Sequence, residues 1–102
     1  MIWDTAKARA NLAKHGVAFR DAQRVFDGPI MQVPDRRQDY GEDRFLAIGK
    51  EGEACLVVAF TRRGGTVRLI SARKASKHER ELHEHTIGTL AARYAPDGRR
   101  TP

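Results

Sequence analysis

Positively charged side chains gather in the second half of the chain, at a spacing that suits the binding of phosphate groups. Arg62 ends an apolar run just before Gly64-Gly65, which predict a hairpin turn, and Arg68 lies within the next predicted strand. Arg73 and Lys74 follow at the end of that strand. A guanidinium is always charged, and its planar fork matches two phosphate oxygens. Each of these side chains alone is an ordinary solvated charge, but together they indicate a phosphate-binding sheet surface.

The four histidines are the residues best suited to proton transfer near neutral pH. His15 follows Lys14 at the end of a predicted helix, where a protonated imidazole stabilises the helix end. The same place suits a general acid or base, and both interpretations stay open. His78, His83 and His85 lack the i, i+4 spacing that puts two metal ligands on one helical face. We therefore predict neither a metal site nor any other cofactor.

Length and charge limit the class of protein. The chain has 102 residues, enough for one domain, with 19 Lys and Arg against 13 Asp and Glu and a net charge of +6. This excess favours a nucleic acid or an acidic protein as partner. The apolar run Cys55–Phe60 is too short to span a membrane, and the lone cysteine suits a reducing cytoplasm. We expect one domain over residues 1–95 and a flexible tail over residues 96–102.

Two helices are predicted near the N-terminus. The first runs from Thr5 to His15, with Asp4 as its N-cap and Gly16 after its last turn. Three alanines recur on one of its sides and indicate a surface that can lie flat against the sheet, whereas a polar side carries Lys7, Asn11 and Lys14. The second helix has apolar positions at Phe19, Ala22, Val25 and Phe26, and Asp27-Gly28-Pro29 ends it. The three alanines are Ala6, Ala10 and Ala13.

The middle of the chain predicts an antiparallel sheet of about three to four strands, and a helix opens at the Ser76–Glu79 capping box. Alternation along a straight last strand would put Arg68 and Lys74 on one face and Arg73 on the other. With the N-terminal helices, these elements predict an α+β domain. The predicted strands are an edge strand at 30–33, one at Arg44–Ile48 before a loop at 49–53, a central one at Cys55–Phe60 and one at Thr66–Ala72.

Beyond these patterns, the sequence resembles the BrnT toxin family over about residues 2 to 83. The matching residues come in order along the chain, and several of their blocks are contiguous, which makes the resemblance specific. The blocks are Trp3-Asp4, Lys7, Asn11, Lys14-His15-Gly16-Val17, Phe19, Ala22, Val25-Phe26-Asp27, Gly41-Glu42, Arg44, Ile48-Gly49, Ile70-Ser71-Ala72-Arg73-Lys74-Ala75 and Glu79-Arg80.

The resemblance implies a ribonuclease toxin of a type II toxin–antitoxin pair, with a RelE-like fold and no metal in the reaction. Its partner would be a BrnA-like antitoxin that binds operator DNA through its own domain, so the toxin would meet DNA only indirectly. On this reading, Arg62 and Arg73 would hold the scissile phosphate, Lys14 and His15 would transfer protons or contact phosphate, and Glu42 would be a candidate base. The residues expected to position the RNA backbone are Arg44, Arg68, Lys74, Lys77 and Arg80.

Two positions depart from the family pattern, and two other functions remain as alternatives. His83 stands where many members have tyrosine, and Ala18 stands where a helix-capping Ser or Asp is common. The first alternative is a basic module that binds RNA or a protein partner and cuts nothing. The second is a toxin with another target, such as a topoisomerase. Because most aromatic residues occupy core-like positions, we expect phosphate contact rather than base readout.

Overall fold

A computed structural model describes residues 1–93 of the chain, with side chains up to residue 88, so the predicted tail at 96–102 lies outside the described residues. The strands are β1 (Ile2–Trp3), β2 (Met31–Pro34), β3 (Arg44–Glu51), β4 (Ala54–Arg63) and β5 (Thr66–Lys74). The helices are α1 (Thr5–His15), α2 (Phe19–Ala22), a 3-10 helix (Gln23–Asp27) and α3 (Lys77–Arg93).

The described strands form one mixed sheet in the order β1-β5-β4-β3-β2. The expected antiparallel sheet of three to four strands is therefore wrong, although α+β is right. The difference is β1, whose two residues pair in parallel with β5 through Ile2–Arg68 and Trp3–Leu69. Two residues are too few to show the alternation that marks a strand in sequence. The apolar run Cys55–Phe60 does lie in the central strand β4, and β2 does lie at an edge.

Strands β3 and β5 both continue past their predicted ends. β3 runs through Gly49 to Glu51, which leaves only Gly52 and Glu53 in the turn instead of a five-residue loop. A Cβ at Gly49 would lie 3.0 Å from the side chain of Ile30 and 3.1 Å from that of Val25. Gly49 therefore marks a close approach between the sheet and the preceding segment, and its conformational freedom is not used for a turn.

The boundaries of α1 are as predicted, but its buried side is not. Asp4 accepts a hydrogen bond from the Lys7 N–H at 2.9 Å, and Gly16 follows the helix with φ of +70°. The three alanines expected to face the sheet are exposed, and Asn11 is buried instead, with 6% of its surface accessible. A short polar side chain is buried here because its amide bonds to the sheet edge, which hydrophobic periodicity does not report.

The second predicted helix is a single α-turn followed by the 3-10 helix. Ala18 precedes it without a side-chain cap, and a short, uncapped segment suits the tighter winding. Its apolar positions nevertheless enter the core as expected, since Phe19, Ala22 and Val25 are buried. Phe26 packs edge-on against Phe60 of β4, with ring centroids 5.1 Å apart.

The sheet has two differently covered faces. On the helix face, defined by Leu56, Val58, Phe60, Leu69 and Ala72, the strands pack with the buried residues of α2 and the 3-10 helix. On the opposite face a smaller cluster forms around Ile48, Cys55, Val57 and Ala75. There α3 packs against β2 and β3, and Glu79 in its first turn also bonds to Arg73 of β5. Beyond the cluster, the opposite face carries Arg44, Thr61 and Arg68.

A β-bulge decides which arginines share a face. Phe60 pairs with Leu69 while its neighbour Ala59 pairs with Ser71, so Ile70 is an extra residue in β5. A residue inserted in this way shifts the alternation of side chains by one. Arg68 and Arg73 consequently lie on the same face, and Lys74 lies on the other, contrary to the alternation predicted for a straight strand.

Candidate active site

Three arginines surround a buried floor on the face of the sheet opposite the helix face. Arg44 pairs with Thr61, Thr61 pairs with Arg68, and Arg73 lies further along β5 opposite Val57. Between them Ala59 and Thr61 are 4% and 2% exposed. We call this surface the arginine face (Arg44, Ala59, Thr61, Arg68 and Arg73). The backbones of Arg44 and Arg68 are two strand spacings apart, about 10 Å, so the guanidiniums can contact one bound strand of RNA.

Arg73 is held by Glu79, which lies in the first turn of α3. The two nitrogens of the Arg73 fork donate to the two carboxylate oxygens at 2.7 and 2.8 Å. Glu79 also accepts the Ser76 N–H at 2.8 Å, and its own N–H donates to the Ser76 hydroxyl at 3.2 Å, which completes the predicted capping box. The hydrogen bonds from Arg73 lower the pKa of Glu79 to about 2. Arg73 is thereby oriented in advance.

Glu42 lies between two arginines. Its carboxylate accepts from Arg63 at 3.1 Å and from Arg44 at 3.4 Å, so it links the ends of β4 and β3. The hydrogen bond from Arg63 is the main cause that lowers the pKa of Glu42, with Arg44 adding to it. A carboxylate with a lowered pKa is a weaker proton acceptor. These two hydrogen bonds suit a positioning role for Glu42, and its role as a base stays a prediction.

The loop before β3 folds its polar side chains together beside the arginine face. Arg37 forks onto Asp35 with distances of 2.8 and 2.7 Å, and only 1% of the Asp35 side chain is exposed. The Tyr40 hydroxyl donates to the same carboxylate at 3.3 Å, and the Arg44 guanidinium lies 4.0 Å from the Tyr40 ring centroid. Because Arg44 also belongs to the arginine face, this contact places the loop at the border of that face.

Lys14 and His15 line a shallow cleft between α1 and β5. The cleft has a volume of about 220 Å³, and Ser71 forms part of its other wall. Ser71 pairs with Ala59, a floor residue of the arginine face, and lies two positions before Arg73. His15 is half-buried and Lys14 is exposed. This cleft therefore opens at the β5 side of the arginine face, next to Arg73.

The other predicted site residues lie elsewhere. Arg62 is on the helix face, where it bonds to Gln32 at 3.2 Å and its guanidinium lies 5.4 Å from the Phe60 ring. Lys74 and Arg80 line a separate cleft beside Cys55, and Lys77 is exposed on α3, 4.0 Å from Glu81. The structure thus brings together Glu42, Arg44, Arg68 and Arg73, with Lys14 and His15 beside them, and it separates Arg62, Lys74, Lys77 and Arg80 from that group.

His83 is buried where α3 crosses the turn before β2. Its Nε2 atom lies 3.2 Å from the Pro29 carbonyl, and 5% of the residue is exposed. Within the described part of the chain its Nδ1 atom has no hydrogen-bond partner. These contacts belong to the docking of α3, at the end of the sheet away from Arg44 and Arg68.

Sequence reasoning missed three polar contributors to this site. Arg37 and Tyr40 lie between the predicted strands at 30–33 and Arg44–Ile48, and neither was predicted as a site residue. Glu79 was predicted as a residue of the capping box and not as the partner of Arg73. A capping box does mark Glu79, so that residue carried a signal. Hydrophobic periodicity gave no signal for Arg37 and Tyr40, because both act through polar contacts with Asp35 and Arg44 in an irregular segment.

Two further observations on the described residues concern membrane-spanning helices and metal sites. Between residues 1 and 93, no helix combines the length and the apolar character that crossing a membrane requires. In the same part of the chain, no three His, Cys, Asp or Glu side chains come close enough together to bind a metal ion.

Comparison with known proteins identifies the family of this chain. A search of curated proteins returned no significant match. The sequence model of the family described as "Ribonuclease toxin, BrnT, of type II toxin-antitoxin system" matches residues 3–79, about three-quarters of the chain. The match begins at Trp3 in β1, includes β2 to β5, α1, α2 and the 3-10 helix, and ends at Glu79, the partner of Arg73. The chain therefore belongs to the BrnT family of ribonuclease toxins of type II toxin–antitoxin systems.

Proposed function

We propose that this chain is a metal-independent endoribonuclease whose active site is the arginine face. The observation that carries the proposal is the set of three guanidiniums, Arg44, Arg68 and Arg73, around a buried floor. Fixed positive charges stabilise the extra negative charge that a phosphoryl group develops during cleavage, and they do so best where water is partly excluded. Membership of a ribonuclease toxin family supports RNA as the substrate.

The proposed reaction is an attack of the ribose 2′-hydroxyl on the neighbouring phosphorus. A new bond forms between the 2′-oxygen and phosphorus, and the bond between phosphorus and the 5′-oxygen breaks. The 2′-hydroxyl gives its proton to a base, and the departing 5′-oxygen receives one from an acid. The products are a 2′,3′-cyclic phosphate and a 5′-hydroxyl, and no metal or other co-reactant is needed to balance the step.

Arg73 and His15 are assigned the central roles. Arg73 binds the scissile phosphate through N–H groups that Glu79 does not use, while Glu79 holds the guanidinium in position. His15 exchanges protons with the ribose from the neighbouring cleft, because an imidazole can accept and donate a proton near neutral pH. Lys14 contacts the RNA backbone beside it, and Arg44 and Arg68 bind flanking phosphates. Glu42 holds Arg44 in place.

A type II toxin acts with an antitoxin, and we propose a BrnA-like protein in that role, covering the arginine face with acidic side chains. The net charge of +6 supports an acidic partner surface. Operator DNA would then be bound by the antitoxin and not by this chain. We propose the cytoplasm as the place of action, because both the RNA and the antitoxin are available there.

The experiment is incubation of the purified chain, freed of any antitoxin, with end-labelled RNA in excess chelator. We expect discrete cuts that end in a cyclic phosphate. Arg73→Ala should lower the cleavage rate by about a hundred-fold or more, as expected for the loss of a group that stabilises transition-state charge. The matched control is Arg62→Ala on the opposite face, which should cut within about two-fold of the parent chain. Circular dichroism and thermal melting check that both variants are folded.

A second candidate function is RNA binding without cleavage. The observation that favours it is the Arg73–Glu79 ion pair, because the carboxylate partly neutralises the positive charge that would stabilise a transition state. In that case the folded parent chain would bind the RNA and leave it intact. Equal cleavage by the parent chain and Arg73→Ala would instead contradict the placement of the active site.

A further inference from the structure

A second cleft of the protein lies next to the arginine face and differs from it in charge. It has a volume of about 550 Å³ and is formed by the loop between β2 and β3. Its walls include several acidic side chains, which repel phosphate groups. The part of a nucleotide that fits such a cleft is the base, which is uncharged. The polar residues that matter below are Asp35, Gln38, Asp39, Tyr40, Asp43 and Arg44.

Tyr40 is the aromatic platform of this cleft. The Arg44 guanidinium lies 4.0 Å from the ring centroid, and the hydroxyl donates to Asp35 at 3.3 Å. Asp35 is itself fixed by the two-pronged bond from Arg37. A ring held at its hydroxyl and on one face keeps its orientation, so little freedom is lost when a flat ligand stacks there. The ring is half-buried and lines the cleft.

The cleft is placed to receive a base from the RNA strand bound on the arginine face. Arg44 belongs to both surfaces, since it pairs in register with Thr61 of the floor and stacks on Tyr40. Arg44 also lines the cleft itself. A strand whose phosphate contacts Arg44 on the arginine face therefore passes the mouth of this cleft.

The polar wall can discriminate between bases. Carboxylates accept hydrogen bonds only. Asp39 already accepts the Gly41 N–H at 2.9 Å, whereas the Asp43 carboxylate makes no hydrogen bond within the described residues. Adenine, cytosine and guanine each carry an exocyclic amino group that can donate to Asp43. Uracil has instead two carbonyl oxygens beside its single N–H, and a carboxylate repels them.

We propose that Tyr40 and Asp43 form a nucleobase subsite that stacks one base of the RNA and prefers a base with an amino group. The proposal rests on the proposed function, since it places the cut at a fixed distance from the preferred base. It revises the expectation that RNA contact is limited to phosphates. Tyr40 belongs to neither core cluster, so its ring is available for base stacking.

The test compares cleavage kinetics and cut positions for the parent chain and for Tyr40→Ala, Tyr40→Phe and Asp43→Asn. Loss of stacking in Tyr40→Ala should raise KM about ten-fold or more with a smaller change in kcat, because stacking binds substrate and transition state alike. Tyr40→Phe keeps the ring and should recover most of the affinity. Asp43→Asn should weaken the discrimination against uracil. Arg62→Ala serves as the control that alters neither.

Binding of 2′-O-methyl oligonucleotides, which cannot react, separates the two proposals. If the parent chain cuts no RNA, the proposed function fails, and the subsite is still judged by whether Tyr40→Ala weakens binding of an adenine oligomer relative to a uracil oligomer. Unchanged KM, cut positions and oligomer affinity in a folded Tyr40→Ala would overturn the subsite. Equal affinity of the parent chain for adenine and uracil oligomers would also overturn it.

Discussion

At the residue scale, the arginines of this protein differ in the groups that their guanidiniums contact. Arg73 shares both ends of its fork with Glu79, Arg44 lies on an aromatic ring, and Arg62 contacts Gln32 on the other side of the sheet. Arg68 forms no ion pair within 4.0 Å in the part of the chain that the structure describes. Arg68 is thus the arginine of the face that can bind phosphate without displacing a carboxylate.

The Arg73–Glu79 pair should make stability depend on pH in the acid range. The pKa of Glu79 falls from 4.5 to about 2 on folding, so folding favours the ionised carboxylate. The stabilisation is complete above pH 4.5 and is lost as the pH falls toward 2. Because the Arg73 side chain is 39% exposed and screened by water, we expect about 1–2 kcal/mol.

Urea unfolding of the parent chain and Glu79→Gln between pH 7 and pH 2 measures this contribution. The difference in unfolding free energy should be about 1–2 kcal/mol at pH 7 and should approach zero near pH 2. Asp35 and Glu42 also have lowered pKa values, but their effects cancel in the difference. A difference that stayed constant over this range would count against the fork as a source of acid sensitivity.

At the scale of secondary-structure elements, Asn11 fastens α1 to the sheet. Its amide nitrogen donates to the carbonyls of Val17 and Ala72 at 2.9 and 2.8 Å, and its oxygen accepts the Ala72 N–H at 3.0 Å. β1 pairs with only two residues of β5, Arg68 and Leu69, so Ala72 lies beyond that ladder. The side chain of Asn11 satisfies the edge of β5 there and fixes the position of the cleft that holds His15.

Replacing Asn11 by Ala should therefore destabilise the protein strongly. The change leaves buried backbone groups of Val17 and Ala72 without partners, and we expect a loss of about 3 kcal/mol. The matched control is Gln23→Ala, whose exposed amide makes one bond, to the Arg20 carbonyl at 3.1 Å, and should cost less than about 0.5 kcal/mol. Denaturant midpoints measure both, and equal losses would contradict the role of Asn11.

At the scale of the whole molecule, the distribution of charge matters more than its sum. The net charge is +6, but carboxylates neutralise Arg37, Arg73 and the pair Arg44–Arg63 on or near the arginine face. When RNA binds, its phosphates must therefore replace some of these carboxylates as partners of the arginines. Such binding depends on salt because each phosphate contact releases a counterion from the RNA.

The dependence of RNA affinity on salt should report how many phosphates the arginine face contacts. With three arginines engaged, the slope of log affinity against log salt for a non-cleavable single strand should be about −2. Arg68→Ala should reduce that slope by about 0.7, whereas Arg62→Ala should leave it unchanged. Fluorescence anisotropy over 50–300 mM salt, roughly the range in which such slopes are read, provides the measurement. A slope unaffected by Arg68→Ala would place the RNA elsewhere.

Local signals in the sequence determined the start of α1, the central strand, the β4–β5 hairpin and the capping box of α3. Each depends on neighbouring residues: Asp4 with Lys7, Gly64 with Gly65, Ser76 with Glu79. The order of matching blocks also identified the family. These features follow from the chain itself because caps, turns and side-chain alternation act over a few residues.

The tertiary structure alone decided which residues share a surface. The extra residue Ile70 brings Arg68 and Arg73 to one face and leaves Lys74 on the other, and strand parity puts Arg62 away from both. The pairing of the short β1 with β5 and the burial of Asn11 likewise depend on contacts between distant segments. Their free energy comes from pairing and burial in the folded chain, and no local pattern reports it.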